Sequence, residues 1–227
     1  MTTYHATHFL LVLQKSSRAD LSESIQELLL RTRKVSRLYW MWEKELTPEK
    51  CQDIIDRAGS DFEKAKINTE EGSGSLSRIN NKTRKTNIHW NNDQDLYDMA
   101  FHYMRGANKK SGWNLQVDAA ESFQIGQYST GGHYNWHVDG LGTETFDEPN
   151  NKLLNGKTRK ISMVVWLNED FKGGDFQFHS SHLKNNVFKV KQGSIIMFPS
   201  WVMHRVTPVK EGTRYSMVSW FLGKPIQ

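Results

Sequence analysis

The sequence predicts a mainly β fold with flanking helices, an α+β chain whose strands close into a sandwich or barrel. Two patterns carry that expectation. From Ala119 onward eight short β-rich runs alternate with turn signals, and before that point three segments space their apolar residues at helical intervals. No internal repeat at a fixed period accompanies either pattern, which excludes solenoids and propellers.

Taken in chain order, the first helix is expected over Asp20–Lys34. Asp20 and Glu23 form a capping box, and Leu21, Ile25, Leu28 and Leu29 follow at helical spacing. The second starts where "TPEKCQDIIDRA" offers Thr47 as N-cap and Pro48 at the first helical position, with Cys51, Ile54, Ile55 and Ala58 on one side. Glu70–Lys85, rich in Gly, Ser, Asn and basic residues without apolar periodicity, reads as a mobile loop. A third helix is expected from about Asp93 to Arg105, turning Leu96, Met99, Ala100 and Tyr103 inward and closing at Gly106. The strands then run Phe123 to Tyr128, His133 to Val138, Lys160 to Leu167, Asp175 to Phe178, Val187 to Lys191, Ser194 to Phe198, His204 to Val206 and Thr213 to Phe221.

At 227 residues, with eleven Phe, eight Trp and seven Tyr, the chain can fill a core, and it lacks a disorder signature. The longest early apolar run, "FLLVL" at Phe9–Leu13, falls far short of a membrane span and has no signal-peptide flanks. No membrane partner is expected. A single cysteine, Cys51, points to a reducing, cytoplasmic setting. The net charge of +5 and pI of about 9.2 are modest for a nucleic-acid binder and fit ordinary surface charge.

Within "GGHYNWHVDG", His137 and Asp139 stand two apart, a spacing that sets both side chains on one face of a strand where they can hold one ion. Alone, such a pair is expected by chance about half the time in a chain this rich in His and Asp. His204, at the start of a late strand, supplies a second imidazole. Two histidines and a carboxylate compose the facial triad of non-haem Fe(II) sites, with positions left open for a chelating co-substrate and dioxygen. Arg214 follows His204 by ten residues, across a hairpin turn over Pro208–Gly212, and its guanidinium can clamp a carboxylate. Ser216 and Trp220 share its strand face, adding a hydroxyl and an aromatic wall.

The segment "YSTGGHYNWHVD", together with "GGDFQF" and "GSIIMFPSWVMHRVTPVKEGTRYSMVSW", resembles the PKHD-type, prolyl 4-hydroxylase-like branch of the 2-oxoglutarate and Fe(II)-dependent dioxygenases, over about Trp40 to Trp220. The resemblance implies a double-stranded β-helix, the cupin-like jelly roll, with helices packed on its larger sheet. It implies an N-terminal extension over 1–39 carrying the amphipathic helix, and an oxygenase domain over 40–227 whose β-helix core spans about 119–221. By the same resemblance His137, Asp139 and His204 are the iron ligands and catalytic centre, and Arg214 binds the distal carboxylate of 2-oxoglutarate. Tyr128 contacts that co-substrate, while Val164, Trp166, Val206 and Trp220 wall its pocket. The implied reaction consumes O2 and 2-oxoglutarate, releases succinate and CO2, and hydroxylates an unactivated C–H bond of a peptidyl (prolyl) or amino-acid side chain. Ascorbate is implied as the reductant that keeps iron ferrous.

Tyr134 is a candidate substrate contact or a packing residue, and Arg84, in the basic loop with Lys82 and Lys85, is a candidate substrate contact on a lid. Gly140–Thr158 is a second candidate lid by its length. His133 reads as a strand cap, and His179 and His182 as part of a solvated hairpin loop. Two other functions share this architecture. A nucleic-acid demethylase would use the same triad, but those enzymes carry a second arginine six residues after the first, where this chain has Trp220. A non-catalytic cupin-like binding module would have no need of Arg214 or Tyr128.

Overall fold

The computed structural model describes residues 37–70, 75–179, 187–188 and 191–226. The helix expected over Asp20–Lys34 and the loop residue His182 lie outside the described residues. In chain order the elements are β1 (Trp40–Trp42), α1 (Pro48–Ala58), β2 (Glu63–Lys64), β3 (Ile67–Glu70), β4 (Ser75–Arg78), β5 (Arg84–Lys85), β6 (Asn87–Asn91) and α2 (Gln94–Lys110). They continue through β7 (Ala119–Ala120), β8 (Phe123–Tyr128), β9 (His133–His137), β10 (Thr158–Trp166), β11 (Lys172–Gly173) and β12 (Phe176–Phe178). The last five are β13 (Val187–Phe188), β14 (Ile195–Pro199), β15 (His204–Val206), β16 (Val209–Glu211) and β17 (Arg214–Gly223).

Two antiparallel sheets face each other. The larger runs β1-β14-β10-β17-β8-β6-β2, with β7 paired to β17, and the smaller runs β13-β12-β15-β9-β5. Strands distant in sequence thus lie side by side, as a double-stranded β-helix requires. The larger sheet shows strict alternation along its strands. One face presents Phe123, Ile125, Met163, Val165, Met217 and Phe221 to the helices, where they join Ile54 of α1 and Leu96 and Ala100 of α2 in one buried cluster. The other face presents Val164, Ile196 and Phe198 to the interior between the sheets, with Phe176 and Phe178 of the smaller sheet opposite. Among the described residues both helices pack on the larger sheet, and the cavity lies on its reverse side.

Helix α1 begins as its sequence directs: the Thr47 side chain accepts from the Lys50 N–H at 3.2 Å. Helix α2 departs from expectation by running on past Gly106 to Lys110. Gly106 does not stop the helix: it has no positive φ and packs inside α2 against the Trp42 indole, which a Cβ there would meet at an ordinary contact distance of 3.5 Å. The loop expected over Glu70–Lys85 is also corrected. Its first part pairs with the preceding residues as β3–β4, and its last residues pair with β9 as β5. A two-stranded ladder satisfies backbone groups without an apolar face, so hydropathy carries no trace of it. Among the described residues no helix is long and apolar enough to cross a membrane.

Candidate active site

The site assembles from cross-strand pairs. On the smaller sheet His137 of β9 stands directly opposite His204 of β15, and on the larger sheet Arg214 of β17 stands opposite Tyr128 of β8. Between the sheets lies a cavity of about 620 Å³. His137, Asp139 and His204 meet on its wall, with one ligand atom from each within 4.8 Å of the others.

Each imidazole is aimed by its own chain. His137 Nδ1 donates to the Asn135 carbonyl at 2.7 Å, and His204 Nδ1 donates to the Val202 carbonyl at 2.9 Å. Because the Nδ1 positions carry the protons, both Nε2 lone pairs point inward, toward Asp139 at 3.7 and 3.6 Å. Burial, with His204 alongside, holds the His137 imidazole down at about 3, so it is neutral and able to ligate at ordinary pH.

Asp139 is placed differently. Strand β9 ends at His137, one residue short of the expected Val138, so Asp139 is not held by strand alternation. Its N–H donates to the Ser200 carbonyl at 2.9 Å, and Ser162 Oγ donates to its Oδ2 at 2.6 Å. Ser200 Oγ lies 3.0 Å from Ser162 Oγ; with the Ser162 proton committed to the carboxylate, Ser200 donates to it. Burial raises the Asp139 carboxyl, but His204 and His137, followed by Arg159 and Ser162, outweigh it and leave the group below its ordinary value.

At the far side of the cavity Arg214 is 1% exposed. Its Nη1 donates to Ser216 Oγ at 2.9 Å and its guanidinium carbon sits 5.0 Å from the Tyr128 ring centroid, while Nε and Nη2 are buried without partners. Burial pulls this guanidinium below its ordinary value. A buried cation with two idle donors, flanked by a hydroxyl and a phenol, is a receptor for a carboxylate. The residues therefore fit both groups the sequence implied: two imidazoles with inward Nε2 atoms converging with a carboxylate suit Fe(II), and Arg214 with Ser216 and Tyr128 suits one end of 2-oxoglutarate.

Most other residues singled out from the sequence line this cavity: Tyr134, Arg84, Val164, Val206 and Trp220 all do. Trp166 does not, and this corrects the expectation. Its ring stands edge-on to Phe176 at 5.6 Å and borders a second, smaller cavity beside Gly173, because the core aromatics fill the space in front of it. Tyr134 reaches the site against simple alternation. A register irregularity between β9 and β15 turns it inward, and its ring stacks on His137 at 3.5 Å. His133 stays outside the ligand set, its ring nitrogens 3.0 and 3.3 Å from the Gly131 and Lys82 carbonyls.

Sequence reasoning missed several cavity or ligand-holding residues, Ser162, Gln124, Arg159 and Ser200 among them. Ser162 and Gln124 carry a signal in hindsight, since they share alternation parity with Val164 and Tyr128 respectively. Arg159 carries none: a bulge between Arg159 and Ile161 shifts its register, and it forms a two-pronged pair with Glu121 at 2.6 Å while lying 3.9 Å from the Trp220 ring centroid. Ser200 acts through its hydroxyl and its carbonyl from a turn after β14. The Gly140–Thr158 segment folds on itself through a bridge between Phe146 and Asn155.

Comparison with known proteins agrees with this arrangement. Residues 123–222 match the family model described as the 2OG-Fe(II) oxygenase superfamily. A PKHD-type hydroxylase of Idiomarina loihiensis is 32% identical over 98 residues, covering 42% of this chain and 39% of that protein. One from Synechococcus sp. strain CC9605 is 29% identical over 106 residues, covering 46% and 43%. The chain thus spans less than half the length of these curated relatives. Among solved structures, a viral collagen prolyl hydroxylase from Paramecium Bursaria Chlorella virus-1 superposes with a TM-score of 0.60 at 19% identity, over 82% of this chain and 97% of that one. A Pseudomonas putida prolyl-4-hydroxylase gives 0.59 at 18% identity, over 82% and 92%. At such identities these two speak for the double-stranded β-helix fold.

Proposed function

We propose that the protein is an Fe(II)- and 2-oxoglutarate-dependent hydroxylase acting on a peptidyl (prolyl) or amino-acid side chain, a reading supported by the match of residues 123–222 to the 2OG-Fe(II) oxygenase superfamily model. The observation that carries this reading is the pairing, across one cavity, of the His137–Asp139–His204 cluster with a buried Arg214 whose Nε and Nη2 have no partner. A binding module has no use for the second half of that pair.

When bound, iron and 2-oxoglutarate supply dioxygen activation, coupled to decarboxylation of the co-substrate to succinate and CO2, for hydroxylation of a C–H bond. The chain's part is ligation, orientation and exclusion of water. His137 and His204 offer Nε2 lone pairs, and Asp139 offers a carboxylate whose second oxygen Ser162 holds. Arg214, Ser216 and Tyr128 orient the co-substrate by its distal carboxylate. Phe176, Val164, Val206 and Val218 supply the apolar part of the wall around these groups. Ascorbate, as a reductant sustaining ferrous iron, belongs to the same proposal.

Anaerobic addition of Fe(II) and 2-oxoglutarate is expected to produce the visible charge-transfer band of the chelate, and admission of air to yield succinate. His204→Ala should lose iron and band together. Arg214→Ala should keep iron but need far more 2-oxoglutarate. A wild-type protein that binds no Fe(II), or whose spectrum stays silent with both added, would refute the proposal.

A further inference from the structure

The cavity contains a second buried guanidinium that the proposed chemistry does not use. Arg84 is 8% exposed and lines the cavity from β5, where it is the register partner of Tyr134. Its Nη2 donates to the side-chain oxygen of Gln124, itself 5% exposed, and its Nε is buried without a partner. Of five N–H donors on this fork, one has an acceptor among the described residues.

The charges around the cavity make Arg84 the odd one. Arg159 is matched by Glu121 through two short bonds. Asp139 faces the metal position, and Arg214 faces the co-substrate. Glu63 and Lys66 also line the cavity but are exposed, and among the described residues the partners of Arg84 are a neutral carboxamide and the face of the Tyr134 ring, whose centroid lies 4.6 Å from its guanidinium carbon. Burying a cation without a counter-charge is costly, and sites retain such a group where a ligand supplies the missing anion. Location narrows what that ligand is. The Tyr134 ring that carries Arg84 on one side is stacked on His137 at 3.5 Å, so a single aromatic ring separates this guanidinium from a metal-ligating imidazole. A group bound there belongs to a molecule that also reaches the metal.

We propose that the molecule to be hydroxylated presents a carboxylate to Arg84 and Gln124, so that the prime substrate is a carboxylate-bearing amino-acid unit and not a neutral internal segment of a polypeptide. Gln124, its oxygen occupied by Arg84, keeps its NH2 as a further donor to the same carboxylate. The carboxylate comes from one of two sources: the α-carboxylate of a free amino acid or chain terminus, or the side chain of an acidic residue. This inference rests on the hydroxylase reading.

The test uses full-length protein loaded anaerobically with Fe(II) and saturating 2-oxoglutarate. N-acetyl derivatives of the twenty amino acids, as free acids and as primary amides, are titrated while the charge-transfer band and the fluorescence of the cavity-wall residues Trp90 and Trp220 are followed. The ligand bearing the recognised carboxylate should bind roughly tenfold or more tighter than its carboxylate-free counterpart, which is acid against amide for an α-carboxylate and aspartyl or glutamyl amide against asparaginyl or glutaminyl amide for an acidic side chain, the range expected for hydrogen bonds to a charged group. A preference for acids whatever their side chain assigns an α-carboxylate. Tight binding of the aspartyl or glutamyl amides alone assigns an acidic side chain. In Arg84→Gln the ratio should fall to near one, and in Arg84→Lys, which keeps the charge, it should be partly retained. Should Arg84→Gln not fold, Arg84→Lys with Gln124→Ala carries the comparison: both should narrow the ratio. A wild type in which no free acid outbinds its amide and the aspartyl and glutamyl amides bind no tighter than the asparaginyl and glutaminyl ones, or a preference untouched by these substitutions, overturns the proposal. If the wild-type band never forms, the hydroxylase reading fails first; if it forms and carboxylate-bearing ligands bind like their carboxylate-free counterparts, only the carboxylate inference fails.

Discussion

Replacing Ser162 with alanine should loosen the metal site without touching a ligand. Ser162 is fully buried on β10 and donates to Asp139 Oδ2 at 2.6 Å, a charge-assisted bond at the short end of its range. Hydrogen bonds to charged groups contribute about 1.5–3 kcal/mol. Part of that loss falls on the metal-free protein as well, since the bond exists there too, and the change in affinity reads only the remainder. That remainder is orientational. Without Ser162 the carboxylate retains no side-chain hydroxyl donor, and Ser200 Oγ, 3.0 Å from Ser162 Oγ, loses its acceptor. Partners that orient metal ligands in this way are worth about 10- to 100-fold in metal affinity, which is about 1.4–2.8 kcal/mol. Anaerobic titration calorimetry with Fe(II), repeated with Co(II), should show dissociation constants raised by that factor in Ser162→Ala. Ser200→Ala, acting through Ser162, should change them less. A folded Ser162→Ala protein that binds both metals as tightly as wild type would refute the argument that this hydroxyl aims the carboxylate.

Other substitutions test other parts of the structure. Gly126 lies opposite Ser216 on the cavity floor, and a Cβ there would stand 3.1 Å from Tyr128 Cε2 and 3.7 Å from Ser216 Oγ; Gly126→Ala should raise the 2-oxoglutarate KM roughly tenfold with little change in melting temperature. Gly193 has φ +80 and a Cβ there would fall 2.0 Å from the Leu46 carbonyl oxygen, so Gly193→Ala should cost about 3 kcal/mol or more in urea unfolding. Arg57 bonds Asp95, Asp53 and Asp93, and holds the first two carboxyls below their ordinary values; Asn91, and then Arg57, does the same for Asp93. Depressed carboxyls stabilise the fold above their unfolded values and lose that contribution as pH falls through the folded ones. The deficit of Arg57→Ala in thermal melts should therefore be present at neutral pH and shrink below about pH 4. Burial pushes the Cys51 thiol up to about 11, so at pH 8 iodoacetamide should label native protein at least a hundredfold more slowly than urea-unfolded protein.

The parts of this protein that could be read in advance are those whose signal is local. Phe123–Tyr128 and His204–Val206 announce themselves as strands by composition and flanking turns, and α1 by Thr47 and Pro48. The His137, Asp139, His204 and Arg214 set was legible because its spacing is dictated by the chemistry of one ion and one co-substrate. What escaped depends on partners far along the chain. Strand β6, five residues between a basic loop and a helix, exists because β8 offers it an edge from Phe123 to Gln127. Arg159 and Tyr134 reach the cavity through irregular register, which alternation alone assigns to the wrong face. Gly106 looked like a stop, yet it continues α2 and its packing neighbour is the Trp42 indole, 64 positions earlier (106 minus 42). Trp166 was misplaced for the same kind of reason, since Phe176 screens it from a strand ten residues downstream.

The histidines and the aspartate are secured on different principles. Each imidazole takes its aim from a carbonyl two residues back, so a short length of β9 or β15 suffices to orient it. Asp139 needs the hydroxyl of β10 and the carbonyl of the turn after β14, and these strands also pair with one another. The two nitrogens thus depend on local backbone alone, whereas the carboxylate is in place only where the central strands are paired. Under the proposed function, a full set of three ligands would therefore report that β10 and β14 are joined.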